Sequence, residues 1–145
     1  MIYLLRHGDA EPDQGEGDDA RRLSDKGRAQ ADDAGRAIAR LEYRIDVCLT
    51  SPKVRGRDTA LLACRHLDLE PEICDPIAGR YDTLELVAGR GNVMLVGHEP
   101  DMSGEIARLT GAEVKLKKGG LAILEPGLLR VLLRPVELTA IASGN

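Results

Sequence analysis

Three short apolar runs constrain the fold of this chain more than any other feature. They are "IYLLR" at 2–6, "VCLT" at 47–50 and "VMLV" at 93–96. Unbroken runs of branched apolar residues are typical of strands that are buried on both faces, and such strands are mostly parallel. Helical patterns separate the runs, so the sequence predicts an α/β fold: a three-layer sandwich around a mainly parallel central sheet.

Each predicted strand is followed by a predicted helix whose apolar residues recur at helical spacing. Ser24 can cap the first helix, the second is expected from about Lys53, and Asp101 can cap the third. The predicted apolar faces are Ala31, Ala34, Ile38 and Leu41 in the first, Leu61, Leu62, Cys64 and Leu67 in the second, and Met102, Ile106 and Leu109 in the third.

The last part of the chain has a different pattern. The segment "LAILEPGLLRVLLRP" at 121–135 predicts an antiparallel hairpin around Glu125-Pro126-Gly127, which closes the sheet. The acidic stretch 9–20, which contains Gly and Pro, predicts a loop over the end of the first strand. No internal repeat or linker interrupts the 145 residues, so we expect one domain over 1–145.

Composition excludes several classes of function. The net charge is -4, Phe and Trp are absent, and no long block of Lys and Arg occurs, so a nucleic-acid partner is not expected. No apolar run approaches the ~20 residues of a membrane span, and no signal segment is evident, so we expect a cytoplasmic protein without a membrane partner. Cys48, Cys64 and Cys74 form no CxxC pair, which favours reduced thiols over disulfides or a zinc site.

Polar and charged side chains lie at or just beyond the end of each of the three predicted strands. Arg6 and His7 follow the first, Ser51 and Arg55 follow the second, and His98 follows the third. Ligands of open α/β sheets bind beyond the carboxyl ends of the strands, so two histidines and two arginines are expected at one edge. Arginine's planar fork matches phosphate oxygens, and histidine can donate to them or attack phosphorus. The sequence therefore predicts a phosphate site.

Neither a functional role for His66 nor a metal site is predicted from the sequence. His66 lies on the predicted second helix without convergent neighbours, so we expect a structural role for it. His7, His66 and His98 lack the short spacing of metal ligands, and no metal site is predicted.

These motifs resemble a known family. Arg6-His7-Gly8 after the first strand, "SPKVRGRDTA" after the second and "LVGHEP" late in the chain are similar to the histidine phosphatase superfamily, which includes the phosphoglycerate mutases. The small size and the segment "RRLSDKG" are similar to its compact SixA branch, the phosphohistidine phosphatases. The resemblance spans nearly the whole chain and implies a phosphoglycerate mutase-like fold.

The resemblance also implies roles for individual residues. His7 would be the nucleophile that takes the phosphoryl group, Arg6 and Arg55 would bind its oxygens, and His98 would complete the pocket. Arg21 is at the position of a further phosphate-binding arginine in the SixA branch, although Arg22 is adjacent to it. Asp58 replaces a glutamine that is common before "TA", which indicates only that this position tolerates change. Neither a metal nor an organic cofactor is implied.

The general acid and the substrate stay open at this point. Larger relatives carry a glutamate in an insertion, whereas here the equivalent stretch offers only Asp82 and Glu85, which also suit solvated charges at a helix start. A leaving imidazole needs less help from an acid than an alkoxide, which favours a phosphohistidine on a protein partner as the substrate. The alternatives are a small-molecule phosphomonoesterase of the same fold, acting on a sugar phosphate or similar, and a non-catalytic phosphate-binding adaptor.

Overall fold

The computed structural model describes residues 1–144. The strands are β1 Ile2–Arg6, β2 Val47–Thr50, β3 Glu72–Ile73, β4 Val93–Gly97, β5 Leu121–Glu125 and β6 Leu128–Leu133. The α-helices are α1 Asp25–Arg40, α2 Val54–Cys64, α3 Thr83–Val87, α4 Asp101–Thr110 and α5 Pro135–Ala142, and short 3-10 helices cover Asp18–Ala20 and Asp75–Ala78. The three predicted buried strands and the predicted hairpin are confirmed.

The strands form one mixed sheet in the order β3-β2-β4-β1-β5-β6. Strands β3, β2, β4 and β1 are parallel, and β4 lies between β1 and β2, both of which precede it in sequence. The hairpin joins antiparallel to β1, with Tyr3 opposite Ile123. The carboxyl ends of β1, β2 and β4 therefore meet at one edge.

Helices cover both faces of the sheet because alternate strand residues are apolar on both sides. Tyr3 and Leu5 of β1 pack in a cluster with apolar residues of α1, α2 and α5. Ile2 and Leu4 face the other side, where they pack with α4, with the 3-10 turn at 75–78 and with Leu116. The predicted three-layer sandwich is confirmed.

The helix caps and faces were predicted with three errors. Ser24 does cap α1, since its hydroxyl accepts the N–H of Gly27 at 3.1 Å. Leu41 and Leu61 were expected in the core but are 37% and 47% exposed, because α1 ends before Leu41 and α2 turns Leu61 to the solvent side. Asp101 is the first residue of α4 rather than its cap; the Glu99 carboxylate accepts the Ser103 N–H at 2.7 Å instead.

Candidate active site

The segments that leave β1, β2 and β4 are held together by backbone hydrogen bonds. The His7 N–H donates to the Gly97 carbonyl and the Ser51 N–H donates to the Val96 carbonyl, each at 3.0 Å. The imidazole rings of His7 and His98 lie with their centroids 5.1 Å apart. The two histidines are therefore close enough to contact a single phosphate group.

His7 is buried, with 6% of its surface exposed. Its Nδ1 lies 2.7 Å from the carbonyl oxygen of Gly8, and because a carbonyl only accepts, Nδ1 carries the proton. Burial, together with the charges of Arg55 and Arg6, lowers the pKa of His7 to about 4, although the bond to Gly8 opposes this shift. At neutral pH the ring is neutral and Nε2 keeps its lone pair, as a nucleophile requires.

His98 is held by Ser51. The two side chains meet at 2.7 Å through Nε2 and Oγ, and the same hydroxyl accepts the Lys53 N–H at 3.1 Å. When the hydroxyl donates to Nε2, the neutral ring carries its proton on Nδ1, which is buried and has no partner. Burial and the neighbouring His7 lower the pKa of His98 to about 3. In this tautomer His98 presents a neutral N–H donor beside His7.

Arg6 and Arg55 are each fixed through their terminal nitrogens. Arg6 donates from Nη1 to the Leu116 carbonyl at 2.9 Å. Arg55 donates from Nη1 to the Asp18 carbonyl at 2.8 Å and from Nη2 to the Asp18 carboxylate at 3.0 Å. In both arginines Nε is buried without a partner. Each guanidinium is thus oriented by protein acceptors while its buried Nε–H stays without a partner.

The unpartnered donors define the chemistry of the pocket. Within residues 1–144, four buried side-chain polar atoms lack a hydrogen-bond partner, and three of them are Arg6 Nε, Arg55 Nε and His98 Nδ1. A buried donor without an acceptor costs about 1–3 kcal/mol. Three such donors in one site suit an oxyanion, whose oxygens accept from all of them.

Arg21 reaches this pocket through Asp18. Its Nη1 lies 3.2 Å from the Asp18 carboxylate, which also contacts Arg55 and, at 3.8 Å, the ammonium of Lys53. Arg21 and Arg55 lower the pKa of this carboxyl, so it is ionised at neutral pH. The side chain of Arg22, by contrast, is exposed and makes no hydrogen bond or ion pair to any residue from 1 to 144. Of the two adjacent arginines, only Arg21 contacts Asp18, the residue that also holds Arg55.

Two glycines of the motifs allow the loop after β1 to lie against α1. A Cβ on Gly8 would come within 2.5 Å of the Gly27 carbonyl oxygen, and one on Gly27 within 1.9 Å of the Asp9 carbonyl oxygen. Thr59 completes the support, since its hydroxyl accepts the Gly8 N–H and donates to the Arg55 carbonyl. One threonine of α2 therefore ties the loop that follows His7 to the turn that bears Arg55.

Asp82 and Glu85, the candidates for a general acid, make no hydrogen bond to His7 or His98. The Asp82 carboxylate caps α3 by accepting the Leu84 and Glu85 N–H groups, and it also contacts Arg108. Asp82 thus has the contacts of a charge at a helix start, and the Glu85 carboxylate makes no hydrogen bond or ion pair with residues 1–144.

His66 lies beyond the end of α2 rather than on it, and its Nε2 contacts the Asp32 carboxylate at 2.6 Å. It belongs to a separate ion-pair cluster with Arg36 and Arg65. Within the described part of the chain, no group of three His, Cys, Asp or Glu side chains is arranged to hold a metal ion.

The sheet topology and the cationic pocket together define a phosphatase of the phosphoglycerate mutase-like α/β fold. The chain belongs to the histidine phosphatase superfamily (branch 1), whose sequence pattern matches residues 2–80. The family predicted from the motifs is thereby confirmed.

Solved structures agree with this family. The protein histidine phosphatase SixA, in a complex with tungstate, superimposes with a TM-score of 0.83 at 20% identity, covering 94% of this chain and 98% of that one. A protein provisionally assigned as the phosphohistidine phosphatase SixA of Agrobacterium tumefaciens gives 0.82 at 30% identity, covering 92% and 97%. The compact SixA-type fold is therefore shown.

Two proteins related in sequence match different lengths of this chain. An uncharacterised protein of Picosynechococcus sp. is 30% identical over 145 residues, covering 90% of this chain and 87% of its own. The mitochondrial serine/threonine-protein phosphatase Pgam5 of Drosophila melanogaster is 34% identical over 71 residues, which are 49% of this chain and only 24% of that protein. The similarity to Pgam5 therefore concerns part of a domain.

Proposed function

We propose that this chain is a phosphohistidine phosphatase that acts on a protein partner through a covalent phospho-His7 intermediate. The observation that carries the proposal is a neutral, buried His7 beside three buried donors without acceptors, Arg6 Nε, Arg55 Nε and His98 Nδ1. The histidine phosphatase neighbours of the same fold support the same chemistry. We propose one such domain over residues 1–145, acting in the cytoplasm without a metal or an organic cofactor.

In the first step, the lone pair of His7 Nε2 attacks phosphorus while the N–P bond of the substrate breaks. The other nitrogen of the leaving imidazole takes a proton from solvent before the bond breaks, so the ring keeps the bonding electrons and departs as neutral imidazole. In the second step, water attacks phosphorus, loses a proton to solvent and releases inorganic phosphate together with neutral His7. Arg6, Arg55 and His98 bind the phosphoryl oxygens in both steps, and Arg21 assists through Asp18.

The surroundings of the pocket favour a phosphohistidine, in which an N–P bond is cleaved, over a phosphate ester, in which an O–P bond is cleaved. An alkoxide leaving group needs a proton from a nearby acid, whereas Asp82 and Glu85 make no contact with either histidine of the pocket. A protonated imidazole leaves without such an acid. The Asp82 carboxylate at the start of α3 is held instead by the Leu84 and Glu85 N–H groups and by Arg108.

The decisive experiment compares a phosphohistidine peptide, sugar phosphates and an aryl phosphate as substrates for the wild type and His7→Ala. We expect the highest kcat/KM on the phosphohistidine peptide and no turnover in His7→Ala. Alkaline denaturation and mass spectrometry should locate the trapped phosphoryl group on His7, because acid would hydrolyse the N–P bond. A phosphoryl group on His98 or His66 would refute the mechanism.

His98→Ala separates the two histidine roles. Loss of one preorganised donor raises the barrier by about 3 kcal/mol, which lowers kcat roughly a hundredfold. Because the nucleophile remains, phospho-His7 should still be trapped. Faster hydrolysis of sugar phosphates than of the phosphopeptide would point instead to a small-molecule phosphomonoesterase, and binding without turnover to an adaptor.

A further inference from the structure

A strongly basic groove runs from the active site across the first turns of α1 and α5. Arg6 forms its inner end and Val136, which is 62% exposed, its outer end. The residues between them include Lys26, Lys117, Lys118 and Arg134. Five of the nine lining residues are basic and one, Asp9, is acidic, although the chain as a whole has a net charge of -4. The positive charge is therefore concentrated here rather than typical of the surface.

Two of these positive charges have no ion-pair partner among residues 1–144. Lys118 pairs with Asp9 at 3.7 Å, and Arg134 pairs with Glu137. Lys26 and Lys117, however, form no ion pair with any residue between 1 and 144. These two ammonium groups are free to pair with carboxylates of a partner.

The lysines are fixed relative to the nucleophile. Leu116 is buried, its N–H donates to the Ser103 hydroxyl at 3.0 Å, and its carbonyl accepts from Arg6. Just beyond the lysines, the Gly119 N–H donates to the His7 carbonyl at 2.9 Å. Lys118 is close enough for its charge to contribute to the lowered pKa of His7. A partner that binds these lysines is thus held at a defined distance from the reacting atoms.

We propose that this groove, formed by Lys26, Lys117, Lys118 and Arg134, is the docking surface for an acidic face of the phosphorylated protein substrate. The inference rests on the proposed function, because the partner must place its phosphohistidine on His7 while its carboxylates contact the lysines. Charge complementarity of this kind raises the association rate and excludes partners without the acidic flank. The exposed apolar end at Val136 suits an apolar residue of a protein partner.

Binding can be measured apart from turnover. The probes are two fluorescent peptides that carry a stable phosphonate analogue of phosphohistidine, flanked by four glutamates in one and four glutamines in the other. By fluorescence anisotropy, we expect the glutamate peptide to bind about tenfold more tightly at 0.05 M salt, with most of this preference lost at 0.3 M. Lys26→Gln combined with Lys117→Gln should reduce the preference to about twofold.

The matched control removes two positive charges at the other end of the sheet. Arg44 and Arg90 precede β2 and β4, so they lie at the amino ends of the parallel strands, opposite the site. The Arg44→Gln and Arg90→Gln double variant should keep the tenfold preference. Equal affinity of the wild type for both peptides, or an equal loss in the control, would overturn the docking surface. Tighter binding of a single-stranded oligonucleotide than of the glutamate peptide would overturn the protein partner.

Hydrolysis of the matching phosphohistidine peptides separates this inference from the proposed function. No hydrolysis of either peptide, with the binding preference retained, would refute the proposed function and support the docking surface. Equal hydrolysis of both peptides without a binding preference would refute the docking surface alone.

Discussion

Acidification from pH 7 to pH 5 is expected to destabilise the folded protein by about 4 kcal/mol through His7 and His98 alone. Burial lowers the pKa of these side chains to about 4 and about 3, against 6.5 in the unfolded chain. Near pH 5 the unfolded chain therefore binds almost two more protons than the folded one. From pH 7 to pH 5 each histidine lowers the free energy of unfolding by about 2 kcal/mol, so the stability present above pH 6.5 declines as the pH falls.

Urea denaturation at pH 7 and pH 5 measures this loss. The control is a His7→Gln and His98→Gln double variant. Its difference in unfolding free energy between the two pH values should be about 4 kcal/mol smaller than that of the wild type. An equal difference in the wild type and the double variant would show that both histidines titrate normally. That result would refute the neutral state of His7 at pH 7.

Three further predictions concern the support of the pocket. Arg55→Lys should weaken phosphate binding at least tenfold by calorimetry, because an ammonium cannot keep the contacts to Asp18 and also present a directed donor; an unchanged Kd would remove Arg55 from the site. Ser51→Ala should lower kcat about tenfold with little change in KM, because His98 loses the hydroxyl that fixes its ring. Ser51→Thr, which keeps a hydroxyl, should restore part of the rate. Equal rates in the wild type and both variants would contradict this role. Gly27→Ala should lower the unfolding free energy by more than about 3 kcal/mol. Gly104→Ala on α4, where a Cβ would meet no atom within 4 Å, should be neutral or slightly stabilising. Similar stability of these two variants would refute the close contact at Gly27.

The elements that sequence reasoning found are those in which the local pattern and the burial agree. Strands β1, β2 and β4 are apolar on both faces and were predicted within one residue of their observed ends. Strand β3 was missed because it has only two residues, both exposed, and it pairs only at the edge beside β2. Helix α5 was missed because the apolar residues of its eight-residue segment do not form a single face.

The site was predictable only in part, for a related reason. Arg6 is the last residue of a buried strand, and His7 and His98 directly follow buried strands. The rule that ligands bind at the carboxyl ends of strands places all three together. Asp18 carries no such signal, because it is one of several acids in a loop and becomes relevant only through contact with Arg55, 37 residues away. Ser51 and Thr59 likewise act through hydrogen bonds to distant residues, which spacing in the sequence does not encode.

The position of β4 between β1 and β2 has a consequence for synthesis on the ribosome. The first two strands to emerge do not pair with each other, since each pairs with β4 in the finished sheet. A nascent chain that has not yet reached residue 93 thus holds Arg6, His7 and Arg55 without the strand that brings them together, and such distant pairings form slowly. Arg6 also needs the Leu116 carbonyl and the backbone of Gly120, which come later still. The ability to bind phosphate is therefore acquired only after about four-fifths of the 145 residues have been translated.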